Sequence, residues 1–238
     1  MTFRGPPGLP DRTTEEVRES AVTATATQRR VPRPRADALR NRERIIGAAR
    51  EMFVEFGADV PLDEIARRAG VGNATLYRHF PDRGDLQREV VLHVSDRIVA
   101  RAEQALAESA ADEAGTFEAL RGFVHDAADE RIGALCPMLS AHFDHDHPDL
   151  FEARDRIQDR VEELMERARA AGQLRTDIAV GDLMVALSQL TRPLPGTPCA
   201  NMDGFIHRHL QLFLDGLMTP ARSELPGEAA TLEDLRKD

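Results

Sequence analysis

The 238-residue chain reads as all-α, a three-helix head with a helix-turn-helix followed by a larger helical domain. Three observations predict this. Aromatic residues are only 5% of the chain, with no Trp and one Tyr, while Ala, Leu, Arg and Glu abound, a mix that favours helices over sheets. Apolar residues recur at helical spacing through the middle of the chain, and no window alternates convincingly with period two. Gly57, Gly70 and Gly172 follow the last residues of such segments, where a left-handed stop is expected.

Residues 1–35 hold Pro6, Pro7, Pro10, Pro32 and Pro34 around a Thr-rich middle, which predicts a flexible arm. The first helix is expected from about Arg35 to Phe56, with Ile45, Ala49, Met52, Phe53 and Phe56 on one face. In a short second helix, Pro61 suits the first turn, Asp63 and Glu64 meet its positive end, and Gly70 ends it. Leu62, Ile65, Ala66 and Ala69 face inward there. A third helix starts near Asn73 and stops before Pro81, and Asp82 is placed to cap a long fourth helix reaching about Leu106. Further helices are expected over about Thr116 to Ile132, Asp149 to Ala171, Val180 to Thr191 and Met202 to Leu217. Residues 220–238, with Pro220, Pro226 and Gly227, read as a flexible polar tail. The head is then 36–81 and the larger domain 82–219.

Hydrophobic residues at 42% and charged residues at 30% allow a buried core and disfavour a wholly disordered chain. Cys136 and Cys199 form neither a disulfide framework nor a metal pattern. The longest uncharged stretch, Ile132 to Phe143, is far short of the ~20 apolar residues of a membrane span. No apolar run precedes the first charges, so no signal peptide is indicated. A soluble, cytoplasmic protein with no membrane partner is expected. The net charge of −10 is unevenly spread. Residues 29–83 carry 12 Arg against 8 Asp and Glu, whereas residues 84–238 carry 16 basic against 29 acidic groups. A basic block ahead of an acidic remainder suits a polyanion, because the local field governs such binding. Lys237 is the only lysine, so nearly every cation is an Arg that can fork onto phosphate or guanine.

Residues 65–80 have the spacing of a helix-turn-helix. Gly70 makes the turn, and Val71 fills the angle between the helices beside Ala66, Leu76 and Phe80. That leaves Asn73, Ala74, Thr75, Tyr77, Arg78 and His79 exposed on an element narrow enough for a DNA major groove. Arg78 and Asn73 are the best candidates for base edges, Arg toward guanine and Asn toward adenine, with phosphate or water contact as the alternative. Arg33, Arg35, Arg40 and Arg44 can add backbone or minor-groove contacts, with a solvated charge as the alternative for each.

The stretch from about Ala38 to Val91 resembles the tetracycline-repressor (TetR) family of bacterial transcription regulators. The resemblance rests on Ile45-Ile-x-Ala-Ala-Arg-x-x-Phe53-x-x-x-Gly57, Ile65-Ala-x-x-Ala-Gly-Val71, Thr75-Leu-Tyr-x-His-Phe80 and Asp82-Arg-x-x-Leu86. It implies a three-helix DNA-binding head, an all-helical ligand domain and a homodimer. It also implies that Thr75, Tyr77 and His79 contact phosphates, and that Arg83 supplies a basic phosphate contact. Helix packing with a solvated rim is the alternative for the first three. Gly72 stands where the family often has Ser or Thr, which removes a side-chain cap. Asn73 stands where Lys, Arg or Gln is common, which implies a different base preference.

The last two expected helices have apolar faces: Leu183, Met184, Leu187 and Leu190, then Phe205, Ile206, Leu210, Phe213, Leu214 and Leu217. A helix apolar over much of its girth needs more cover than one small domain offers, which agrees with a homodimer. The resemblance implies a four-helix bundle built from two such pairs. A small-molecule pocket is expected between the fourth helix and those before the bundle. Phe117, Phe123, Met138, Phe143, Met165 and Met184 would line it, with His125 or His142 as a polar handle; plain core is the alternative for each.

His142, His145 and His147 interleave with Asp144, Asp146 and Asp149, and imidazole with carboxylate suits transition metals. The spacing matches no zinc pattern and Pro148 marks a loop, so a solvated loop without metal is expected. Cys136 reads as core or pocket lining. No nucleophile–base motif, phosphate-binding Gly loop or cofactor signature stands out, so neither an enzyme nor a cofactor is expected. The sequence thus points to a homodimeric repressor on a palindromic double-stranded operator, released by a small-molecule ligand. The alternative is a DNA-binding regulator without that switch, controlled by a protein partner.

Overall fold

The computed structural model describes residues 34–111, 115–135, 147–192 and 202–236. They are helical, with no strand among them beyond an isolated bridge between Leu174 and Met218. The head comprises α1 (Pro34–Phe56), α2 (Leu62–Ala69) and α3 (Asn73–His79). The spine is α4 (Arg83–Ala111), which packs on α1, on α5 (Thr116–Asp129) and on α7 (Pro148–Ala170). A short α6 (Ile132–Leu135) lies between α1 and α8 (Val180–Leu190). A 3-10 turn, Met202–Phe205, leads into α9 (Ile206–Leu217), which packs on α5 and α8.

The apolar spacing of α1 buries Ile45, Ala49, Met52 and Phe53. Phe56, expected on the same face, is instead 58% exposed. The helix ends there, and Gly57 at φ +89 turns the chain away while its N–H donates to the Phe53 carbonyl at 3.0 Å. Asp82 caps α4 as the sequence predicts, its Oδ1 accepting from Asp85 N–H at 2.8 Å. One continuous core then runs from Phe53 and Phe80 in the head to Phe123, Leu164 and Leu183 in the body. Each such side chain contributes ~1.5–3 kcal/mol by leaving water.

Two features depart from the sequence expectation, and a third was not expected from it. The helix expected over Thr116 to Ile132 is divided, because Arg131 adopts φ +57 and breaks it between α5 and α6. The N-terminus of α5 is satisfied from 56 residues away, where Gln173 Oε1 accepts from Phe117 N–H and Thr116 Oγ1, both at 2.8 Å. Residues 220–236, expected as a flexible tail, are mostly exposed but are tied to the body at Ser223, Ala230 and Leu232. Leu232 is 8% exposed, Ala230 N–H donates to Asp182 at 3.3 Å, and Arg175 Nη2 donates to the Ser223 carbonyl at 2.9 Å. Among the described residues no helix is long and apolar enough to cross a membrane.

Candidate nucleic-acid interface

The helix-turn-helix is built from its turn outward. Gly70 ends α2 at φ +64, with its N–H on the Arg67 carbonyl at 3.1 Å and Val71 N–H on the Ala66 carbonyl at 3.0 Å. This is a left-handed helix stop, where a Cβ is strained. A Cβ at Gly70 would also stand 2.6 Å from Arg44 Nη2. The following helix, α3, is anchored by Leu76 and Phe80, both buried, with Val71 packed beside them. Gly72 precedes α3 with no side-chain cap; its carbonyl accepts from Thr75 N–H at 2.8 Å and Leu76 N–H at 3.1 Å.

Anchoring one face of α3 presents the other. Asn73, Ala74, Tyr77 and Arg78 are exposed, and Thr75 and His79 are half-buried. Tyr77, the only tyrosine, is 47% exposed, which leaves its hydroxyl open for hydrogen bonding.

Most of the head's cations are already engaged. Arg40 pairs with Asp37, Arg67 with Glu64 and Arg88 with Asp85. Arg42 reaches Glu89 at 2.5 Å, and Arg68 reaches Glu51 and Glu55 at 3.4 and 3.3 Å. Arg44, expected near the DNA backbone, donates through Nη2 to the Ala69 and Gly70 carbonyls at 2.5 and 2.9 Å. It thereby ties α1 to the C-terminus of α2. Arg83, expected at a phosphate, donates to the Ala58 and Val60 carbonyls at 2.8 and 2.7 Å. Neither tie is legible in the sequence, because each spans more than twenty residues. Among the described side chains of residues 36–91, Arg78 is the one guanidinium with no ion pair or hydrogen bond. It stands on the outer face of α3.

A second polar centre joins head to body, and sequence reasoning did not find it. Glu130 follows α5 with its side chain 2% exposed. It accepts from Arg50 Nη2 of α1 at 2.9 Å, and from Arg97 of α4 at 2.8 Å through Nε and 2.7 Å through Nη2. Burial pushes the Glu130 carboxyl upward. The Arg97 hydrogen bond and the charges of Arg50, Arg97 and Arg101 outweigh it and hold the group below its ordinary value. Nearby, desolvation and then the charges of Arg97 and Arg50 push His93 down, against the pull of Glu130 and Asp96.

Of the expected pocket residues, Phe117, Phe123 and Met165 are buried in the core, and Met184 packs partly buried against it. Met138, Phe143 and His142 lie outside the described residues, as do Cys136, Cys199, His145, Asp144 and Asp146. A cavity of about 570 Å³ opens between α8, α9 and the C-terminal segment, lined by Val185, Leu212, Phe213, Leu225 and others. A second, of about 440 Å³, lies beside Ser109, Thr116 and Arg167. Phe117, Phe123, Met165 and Met184 line neither. His147 serves as the N-cap of α7, its Nδ1 accepting from Asp149 N–H at 3.3 Å. His125 faces α9.

The chain matches two family profiles. Residues 45–90 match "Bacterial regulatory proteins, tetR family", and residues 111–219 match "Transcriptional regulator SbtR-like, C-terminal domain". Its structure resembles that of the TetR transcriptional regulator SCO0520 from Streptomyces coelicolor. The two are 32% identical, the likeness covers 76% of this chain and 99% of that one, and the TM-score is 0.56. A TetR transcription regulatory protein from Mycobacterium vanbaalenii is 31% identical, with 78% and 99% covered and a TM-score of 0.53. The nucleoid occlusion factor SlmA of Vibrio campbellii is 29% identical over 130 residues, which are 53% of this chain and 61% of that protein. That relative is therefore matched over less than two thirds of its length.

Proposed function

Since the chain belongs to the TetR family of DNA-binding transcription regulators, we propose that it acts as a homodimeric repressor, released from a palindromic operator by a small-molecule ligand. The observation that carries the DNA half of this reading is the uncommitted Arg78 on α3, flanked by Asn73, Ala74, Thr75, Tyr77 and His79. In a major groove, Arg78 reads a guanine and Asn73 an adenine, while Thr75, Tyr77 and His79 hold phosphates. Arg44 and Arg83 support that face from behind by fixing α2 and the segment before it.

The dimer is supported by apolar surface on the last two helices. Leu212 is 60% exposed, and Val185, Phe205 and Leu225 stand open nearby. A second copy laying its own α8 and α9 there removes this surface from water. Two recognition helices then sit roughly 34 Å apart, or a multiple of that, in successive grooves. The effector acts by favouring a dimer with wrongly spaced heads, and it shifts that equilibrium only by its differential affinity for the two forms.

Selection of bound duplexes from a random pool tests the reading. The expected product is a palindrome, and a chain that ignores duplexes even in dilute salt overturns it. A metabolite screen by thermal shift then tests the switch. A compound that stabilises the protein and releases the selected DNA supports it; release only by a protein partner overturns it.

A further inference from the structure

His125 on α5 and His207 on α9 face each other through their Nδ1 atoms, 2.9 Å apart, with the rings stacked at a centroid distance of 5.1 Å. Their outer nitrogens meet acceptors. His207 Nε2 lies 3.2 Å from Asp129 Oδ1, and His125 Nε2 lies 3.4 Å from Gln211 Oε1. The Gln211 amide is oriented by its own Nε2, which donates to Asp215 Oδ1 at 2.7 Å, so its oxygen is the atom turned to His125. A carboxylate and an amide oxygen only accept. With the proton of each ring on Nε2, the two Nδ1 atoms bring their lone pairs into one gap. Either a proton shared as an Nδ1–H···Nδ1 hydrogen bond or a metal ion bound to both nitrogens relieves that contact.

We propose that His125 and His207 form a two-histidine site for a divalent transition-metal ion of the copper or nickel class. With metal–imidazole bonds of ~2.0–2.1 Å, nitrogens 2.9 Å apart subtend about 90° at the ion. That is the cis angle of a tetragonal or octahedral ion, the geometry of copper and nickel. Each metal–nitrogen bond then lies about 45° off the Nδ1···Nδ1 line, and the rings turn about their soft Cβ–Cγ bonds to meet one ion. Asp129 and Gln211 are the outer partners that favour a proton on each Nε2. Among the described residues no three His, Cys, Asp or Glu side chains converge on a metal position. The remaining coordination positions therefore go to water, which reaches His207 at 51% exposure. The surroundings favour a cation through Asp129, Asp126 and Asp215. Arg101 partly offsets Asp126 at 3.5 Å, and Arg121 partly offsets Asp215 at 3.9 Å. The bound ion staples α5 to α9.

The test is calorimetric titration of untagged, chelator-stripped full-length protein with Cu2+ and with Ni2+. The expected result is binding that weakens at least about tenfold in His125→Ala and in His207→Ala, and ~10–100-fold in Asp129→Asn, with metal-free thermal midpoints unchanged. A His142→Ala, His145→Ala, His147→Ala variant keeps this site. Electron paramagnetic resonance of the first bound Cu2+ is expected to report two nitrogen ligands in the parent and one in His125→Gln or His207→Gln. That readout decides if an alanine variant melts early. The proposal is overturned if no ion binds at ~100 µM, or if the single variants bind like the parent, since the ion then sits at other histidines.

Discussion

Arg50 Nη2 of α1 lies 2.9 Å from Glu130 Oε2 at the end of α5, so a helix of the DNA-binding head is bonded to a nearly buried carboxylate of the body. Arg97 grips the other oxygen from α4. A lone buried carboxylate is costly; one held by two guanidiniums is stabilised, and it fixes where α1 sits on α4 and α5.

Replacing Glu130 with Ala leaves Arg50 and Arg97 facing an empty corner. Breaking a fully buried pair costs ~3–5 kcal/mol, and the partial exposure of Arg97 lowers the expected loss to about 2 kcal/mol. Urea unfolding measures it. Glu130 is held below its ordinary value, so its contribution is present above about pH 4.5 and is lost as pH falls through the depressed value. Glu130→Gln should abolish that acid-side loss and leave the remaining carboxylates to titrate.

His93 works in the opposite pH direction from a paired histidine. Its ordinary value of 6.5 is lowered, so the folded chain binds this proton less readily than the unfolded chain. Stability should therefore decline as pH drops below 6.5 and hold above it. The thermal midpoint of the parent should fall more than that of His93→Gln between about pH 7.5 and about pH 5.5.

Two arginines of the head should part company under mutation. Arg78→Ala should relax preference at one or two base pairs by ~1–3 kcal/mol and leave the melting curve unchanged. Arg44→Ala removes the donor from the Ala69 and Gly70 carbonyls at the end of α2 and should cost ~1–3 kcal/mol of stability, with DNA affinity lost as the head loosens. Gel shifts on matched and mismatched operators, beside thermal melts, separate the two. Uniform weakening by Arg78→Ala across all sequences would remove its base-reading role.

Leu212→Glu places a charge in the most open apolar spot of α9. A homodimer through α8 and α9 should dissociate to single chains, which light scattering after size exclusion reads directly. An unchanged mass would put the dimer face elsewhere.

The head was legible because its signals are local. Gly70, Val71, Leu76 and Phe80 lie within eleven residues, and the same spacing that buries Leu76 exposes Tyr77 and Arg78. The helix start at Asp82 was also readable, since capping acts over a few residues, whereas Pro148, read as the mark of a loop, is the first residue of α7 behind the His147 cap. What escaped depends on distant pairs. Gln173 caps α5, Arg83 binds the carbonyls before α2, and Glu130 meets Arg50 across 80 residues. Periodicity carries no information about which polar groups meet across elements, and the same holds for His125 and His207. The break at Arg131 escaped too, because an arginine gives no warning of a left-handed backbone.

Gly133 shows how little slack the middle of the molecule holds. Its N–H donates to Thr191 Oγ1 at 2.8 Å, and a Cβ there would stand 2.1 Å from the Ser188 carbonyl oxygen. The α6 segment is thus seated backbone to backbone on the end of α8, while its other side touches α1. A seat with no room for one methyl group holds α6 and α8 at a separation that only glycine permits. Even an alanine at this seat would have to prise the two helices apart before the protein could fold around it.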